Sequence, residues 1–288
     1  MNKSKLVLIF FLASFYPVLG QITVENAESL NLKVRHQALH IVLSDTSLKK
    51  HYLSALKQNQ IFDTIIFIKE KKFSEKIEPG KVYLCSMKFI LHLTSSGGIR
   101  SMNYLILFIP SEKTIQRLKT QNVIKITDLK EYAYFPLEPK TINDIKRYNF
   151  AVLRNNIQQL ETSLKLKTDC KFYKDFIDNK AISNLKEDTL FIVCDRLIDT
   201  TSSLFKENYP YKYAFITSKL LESKEENIIK PFYYMHFSWA DEYYQNQISV
   251  VNAYSGSEIY HNKIMSTELL ISERILKELV GEIEKIKK

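Results

Sequence analysis

Leu39-His40-Ile41-Val42-Leu43, then Ser44-Asp45-Thr46, then Leu48, Tyr52, Leu53, Ala55 and Leu56 at helical spacing: this stretch decides the fold class. The apolar run suits a buried strand, and the second group begins a helix behind a turn. Outward from it, Phe62 to Ile68 and Lys81 to Leu93 carry the β-branched and aromatic residues of strands. Ser95, Ser96, Gly97 and Gly98 turn the chain into a further strand, Asn103 to Ile109. Strand, helix, strand, strand, strand predicts an α/β fold with mixed sheets, with α+β as the alternative.

The same order returns at a shift of 109 residues. Ile41 to Leu43 falls on Phe150 to Val152, Leu48 on Ile157, Phe67 and Ile68 on Phe176 and Ile177, Cys85 on Cys194, and Tyr104 on Tyr213. Identities at this shift number about seven, which a biased composition nearly produces unaided, so the argument rests on strands keeping register without an insertion. The reading is two similar sheet-plus-helix subdomains; its rival is one larger α/β domain with recurring strands.

Met1 to Gly20 carries Lys3 and Lys5, an apolar run from Leu6 to Leu19, and small residues at Val18 and Gly20 before Gln21. That is the pattern of a cleavable secretory signal over residues 1–20. The run is shorter than a bilayer-spanning helix and contains Pro17, which argues against a retained anchor. No Cys follows the proposed cut, so a lipoprotein route is not encoded, and no second long apolar run exists. Residues 21–138 form the first subdomain, with Gln21 to Arg35 leading into its first strand. Asp128 to Glu138 reads as an edge strand ended by Pro136, and 139–147 as a linker rich in turn formers and charge.

Residues 148–288 form the second subdomain. Ile157, Leu160 and Leu164 mark its helix, Leu190 to Cys194 a buried strand, and Thr200 to Pro210 a longer loop. Phe232 to Phe237 and Gln247 to Tyr254 are strands, and Ser255-Gly256 turns the latter into Ser257 to His261 as a hairpin. Ser266 or Thr267 caps a closing helix whose stripe is Leu269, Leu276, Leu279, Val280, Ile283 and Ile286.

Composition bounds the function. With 288 residues, 45% hydrophobic and 12% aromatic, the chain builds an ample core. A net charge of +9 is spread among interleaved acids, and Arg is too scarce for a nucleic-acid stripe. Such a diffuse basic surface suits cell-wall polymer such as peptidoglycan, or anionic membrane. Cys85, Cys170 and Cys194 are too few for a disulfide framework and are not spaced for a metal; Cys85 and Cys194 read as small buried hydrophobes.

Chemistry is sparse. The six histidines, His36, His40, His51, His92, His236 and His261, form no helical zinc pair, since His36 and His40, though four apart, lie at a strand entry without an adjacent acidic ligand, and they read as scattered surface residues. Gly97-Gly98 lacks the Lys-Ser or Lys-Thr of a phosphate loop, and no Ser elbow is present. The one compact polar-aromatic group is His236, Trp239, Asp241, Glu242 and Tyr243, which suits carbohydrate or peptide binding or acid-base work, against the plainer reading of a Trp packing anchor. No cofactor or metal is expected.

The run Ile248-Ser249-Val250-Val251-Asn252-Ala253-Tyr254-Ser255-Gly256-Ser257-Glu258-Ile259-Tyr260, followed by the helix through Leu276, Leu279 and Val280, resembles the closing hairpin and helix of TolB amino-terminal-like and CsgG-like envelope proteins. Ser54-Ala55-Leu56, Ile61-Phe62 and Ile65-Ile66 are similar to their first helix and second strand. The resemblance implies a non-enzymatic accessory or scaffold protein that binds other envelope proteins in the periplasm or at the outer membrane, with extracellular release as the alternative. Two rival expectations stand: a periplasmic solute-binding module with ligand between the halves, and an envelope hydrolase or transferase using His236, Asp241 and Glu242.

Overall fold

The computed structural model describes residues 23–56, 61–92, 99–121, 124, 128–129, 131–137, 150–167, 176–194, 201–226, 230–239, 245–265 and 271–285. Its elements run β1 (Thr23–Glu25), α1 (Ala27–Val34), β2 (Ala38–Leu43), α2 (Lys49–Ala55), β3 (Thr64–Lys69), α3 (Phe73–Lys76), β4 (Val82–His92), β5 (Ile99–Phe108), α4 (Glu112–Gln121), β6 (Tyr132–Leu137) and α5 (Phe150–Leu166). Then follow β7 (Phe176–Ile177), α6 (Asn179–Ile182), β8 (Leu190–Val193), α7 (Thr201–Asn208), β9 (Tyr213–Ile216), α8 (Ser218–Glu226), β10 (Tyr233–Trp239), β11 (Gln245–Asn252), β12 (Glu258–Met265) and α9 (Glu273–Lys285). The fold is mixed α/β with two similar sheets and a closing C-terminal helix, as the sequence leads one to expect.

Both sheets have six strands and one topology: β1-β6-β5-β4-β2-β3 and β7-β12-β11-β10-β8-β9. In each, a central strand (β2 or β8) is parallel to both neighbours, and the rest of the sheet is antiparallel. The central strand β2 is buried from Leu39 to Leu43, because helices cover both faces of a strand in that position. Local signals start the helices. Asp45 accepts from the Ser47 amide, Ser111 from the Thr114 amide at the head of α4, and Asp178 from the Lys180 and Ala181 amides at the head of α6.

The repeat is real, but its spacing is not 109. Leu39 pairs with Val82 and Leu190 with Tyr233, so the central and fourth strands recur at a spacing of 151 residues. Phe150 to Val152, which the shorter shift lays on strand β2, begins helix α5 instead. Leu153, Ile157, Leu160 and Leu164 recur every three or four residues there, a helical period no strand can use. At 109 one match sets strand β2 against a helix, and others, such as β3 on β7 and β5 on β9, set strands against strands that hold different places in the sheets.

Helix α5 joins the two lobes. Its stripe of Leu153, Ile157, Leu160 and Leu164 enters the core under sheet one with Leu30, Leu39, Ile41 and Leu84. Each such fully buried side chain contributes about 2 kcal/mol. Its other side meets sheet two: Ala151 packs with Tyr234, Val251 and Ala253, and Asn155 Nδ2 donates to the Tyr234 hydroxyl at 2.7 Å. Gln158 and Gln159 donate to the Tyr254 and Gly256 carbonyls of the β11–β12 turn. Gly256 sits at φ +72°, and a Cβ there would meet Gln158 Cβ at 2.7 Å and the Asn155 carbonyl at 3.1 Å. Only glycine lets that turn close on α5.

Several local expectations change. Gln21 to Arg35 is not a plain leader, since it supplies β1 and α1. Thr201–Asn208 is helix α7 rather than loop, held by Phe205 at 0% exposure. β6 lies between β1 and β5, not at an edge. It tolerates Pro136 because β1 stops opposite Tyr134 and leaves that side without a described neighbour. Helix α9 starts after Ser272, whose carbonyl accepts from Ile275 and Leu276; Ser266, Thr267, Leu269 and Ile286 lie outside the described residues, as do 1–22 and the 139–147 linker. Leu276, Leu279 and Ile283 are buried, whereas the outer face carries the pairs Glu273–Lys277, Arg274–Glu278 and Glu282–Lys285.

Candidate functional site

The residues singled out in the sequence are not brought together as a described cleft. His236 lies in β10, 5% exposed, its ring tilted against Tyr234 at 5.8 Å. Trp239 closes β10 opposite Asn246. Asp241, Glu242 and Tyr243 lie outside the described residues.

What His236 does join is a buried polar row across three strands. It stands opposite Ser249 on β11, which stands opposite His261 on β12. Ser249 Oγ lies 3.1 Å and Glu258 Oε1 3.0 Å from the same nitrogen, His261 Nδ1. Ser249, Glu258 and His261 are 0%, 6% and 1% exposed. Glu258 and His261, three residues apart, share a face because the pairing slips between Val250 and Val251. A bulge there takes up one residue, where regular alternation would send the two side chains to opposite faces.

A serine, a histidine and a carboxylate suggest an acyl-transfer relay, but the geometry does not form one. A relay uses both ring nitrogens, one toward the nucleophile and one toward the acid. Here hydroxyl and carboxylate converge on Nδ1, and Ser249 has no exposed surface. Among the described residues no group of three or more His, Cys, Asp or Glu side chains is placed to hold a metal. The row is a buried hydrogen-bonding network that fixes the face of sheet two nearest α5.

Other histidines and cysteines are also structural. His40 is buried in β2, Nδ1 3.1 Å from the Val82 carbonyl and its ring 5.1 Å from Tyr83. His40, His236 and His261 are therefore not surface histidines. Cys85 is buried in β4 as a free thiol, its pKa pushed up by burial and then by the nearby Glu70. Cys194 is a free thiol that reaches the Ile216 carbonyl, and Cys170 lies outside the described residues.

The open surface feature is the outer edge of β3. Thr64-Ile65-Ile66-Phe67-Ile68-Lys69 is the last strand of sheet one, with no neighbour beyond it among the described residues. Ile66 is 41% exposed, and Ile65 and Phe67 are half-buried against the core. The strand has no proline, bulge or inward charge of the kind that blunts an edge. The corresponding strand of sheet two, β9, has four residues, follows Pro210, and lies in an aromatic cluster of Phe205, Tyr209, Tyr211, Tyr213 and Phe215. Sequence reasoning found β3 as a strand but not as an edge, since edge position depends on pairing order.

Helix α2 flanks the β3 edge. Lys49 lies over the Phe67 ring at 5.2 Å, and Leu53, one turn on and on the same side of the helix, is 43% exposed. Asp63, just before the strand, pairs with His36 at 3.1 Å on the surface, and Lys69 ends it. This edge, a row of backbone N–H and C=O groups between apolar side chains with an acid at one end and a base at the other, is equipped for strand pairing. Comparison with family models, with curated proteins and with solved structures finds no match to the chain.

Proposed function

We propose that this chain is an exported accessory or scaffold protein of a bacterial envelope, in the periplasm or at the outer membrane, that binds other proteins by strand pairing and carries out no catalysis. The observation that carries this reading is the edge of β3, apolar in its side chains and with no neighbouring strand among the described residues, a preformed template for another strand. Export rests on residues 1–20, with Lys3 and Lys5 ahead of the apolar run and Val18-Leu19-Gly20 at its end. No helix among the described residues is long and apolar enough to cross a membrane. The β11–β12 hairpin around Ser255-Gly256, running into α9, is consistent with the resemblance to TolB amino-terminal-like and CsgG-like proteins. The solute-binding alternative finds less support, because α5 packs against both sheets in the space a ligand would need. The hydrolase alternative gains none from His236, which is sealed within sheet two.

The test is a photo-crosslinking amino acid placed at Thr64, with Lys277 on the charged face of α9 as control, in cells that express the protein natively. A defined adduct from Thr64 and none from Lys277 supports the reading. Equal capture from both positions, or none from Thr64, contradicts it.

A further inference from the structure

We propose that β3 pairs antiparallel with β3 of a second copy, about a two-fold axis at Ile66, joining the two first-lobe sheets into one. This rests on the reading of β3 as a binding edge and names its partner. The argument is one of register. A two-fold axis normal to a sheet keeps its faces, so facing residues must lie on the same side of the strand. That leaves three central registers. With Ile65 on the axis, Asp63 faces half-buried Phe67 of the second copy; with Phe67 on the axis, Lys69 faces half-buried Ile65. Each of these sets a charge against an apolar side chain.

With Ile66 on the axis every pair matches. Ile66 meets Ile66 once on the axis, and Ile65 meets Phe67, Thr64 meets Ile68, and Asp63 meets Lys69, each of these three pairs made twice by symmetry. Exposed Ile66 is covered, and Asp63 and Lys69 gain opposite charges at both ends. Leu53 lies on the β3 side of α2, above the face that carries Ile65 and Phe67, so the same pairing brings two further exposed leucines toward each other. The second lobe offers no such edge, because β9 is short and its aromatic residues are engaged with one another.

Sedimentation of the processed protein across the micromolar range tests this. The wild type sediments as a dimer. Ile66→Asp, which sets two carboxylates on the axis, is a monomer that keeps the far-ultraviolet circular dichroism of the wild type, since Ile66 is 41% exposed and its replacement leaves the lobe folded. Asp63→Lys and Lys69→Glu each weaken the dimer by roughly tenfold through like charges met twice. Combining them restores it. A wild type that is monomeric throughout, or a double reversal no tighter than the singles, overturns the proposal. A photo-crosslinker at Thr64 that captures a different polypeptide, while the pure protein is monomeric, overturns self-pairing and leaves the binding reading intact. Capture of neither kind removes both.

Discussion

Two rows of three residues occupy the same place in the two sheets and have opposite character. In sheet one the row across β4, β5 and β6 is Cys85, Ile106 and Tyr134; in sheet two, across β10, β11 and β12, it is His236, Ser249 and His261. The first row lies in an apolar layer with Phe73, Ile115 and Leu118 from α3 and α4. The second lies on the face that meets α5, which brings Asn155 to Tyr234. Tyr83, the counterpart of Tyr234, donates to the Lys76 carbonyl and accepts from the Glu78 amide, within its own lobe. One topology therefore tolerates either chemistry, and the layer stacked above the sheet decides which. Where the neighbour is an interlobe helix with polar side chains, the sheet answers with polar groups, each needing a partner.

Breaking the second row gives the largest expected effect. His261→Leu leaves Glu258 buried beside a methyl group and costs about 3 kcal/mol or more in chemical unfolding, the range for stripping one partner from a buried pair. Cys85→Ala in the first row removes only a small buried thiol and costs about 1 kcal/mol. Equal losses at the two positions would contradict the contrast.

The next effect is shared by the lobes. Tyr52, midway along α2, and Tyr209, just past α7, lie on the crossovers that follow β2 and β8, and burial raises the pKa of both phenols. They stay neutral in the folded chain and ionise near pH 10 when unfolded, so stability is present below pH 10 and falls as pH rises beyond it. Each phenol contributes a slope of about 1.4 kcal/mol per pH unit, and Tyr52→Phe or Tyr209→Phe removes one share. The Tyr209 hydroxyl has no hydrogen-bond partner among the described residues, so Tyr209→Phe leaves neutral-pH stability equal or higher. A melt that is flat between pH 9 and 11 would contradict the burial of these groups.

Gly256→Ala tests the seam between the lobes. The new Cβ is strained at φ +72° and presses on Gln158 and the Asn155 carbonyl, for a loss of about 2 kcal/mol. Gly80, also left-handed at φ +74° but with nothing near a new Cβ, loses about 1 kcal/mol. A loss as small as that at Gly80 is expected at Tyr234→Phe. Asn155 Nδ2 keeps its bond to the Ala151 carbonyl, so the loss is about 1 kcal/mol, read from the same unfolding curves.

The strands and the closing helix were legible because their side chains carry the period. Ile41, Val42 and Leu43, the Ser255-Gly256 turn, and the stripe of Leu276, Leu279 and Ile283 all read correctly. The repeat was legible in kind but not in spacing, since identities such as Cys85 with Cys194 align residues that do not share a place in the sheets. α5 was seen only as an amphipathic helix; nothing in its apolar stripe reveals that its polar side also meets a sheet. The Glu258–His261 contact was hidden because a bulge breaks the two-residue period that sequence reading assumes. The β3 edge was hidden because strand order is set by long-range pairing, which Thr64 to Lys69 do not encode locally.

The contrast between β3 and β9 is the most direct test of the account, read by hydrogen exchange of their backbone amides. In the wild-type protein the amides of Thr64 to Lys69 should exchange slowly, and in Ile66→Asp the half that face away from β2 should become fast, while Tyr213 to Ile216 stay the same in both. Fast exchange along the outer side of β3 in the wild type, unchanged by the substitution, would show an edge that binds no strand and would contradict the central claim.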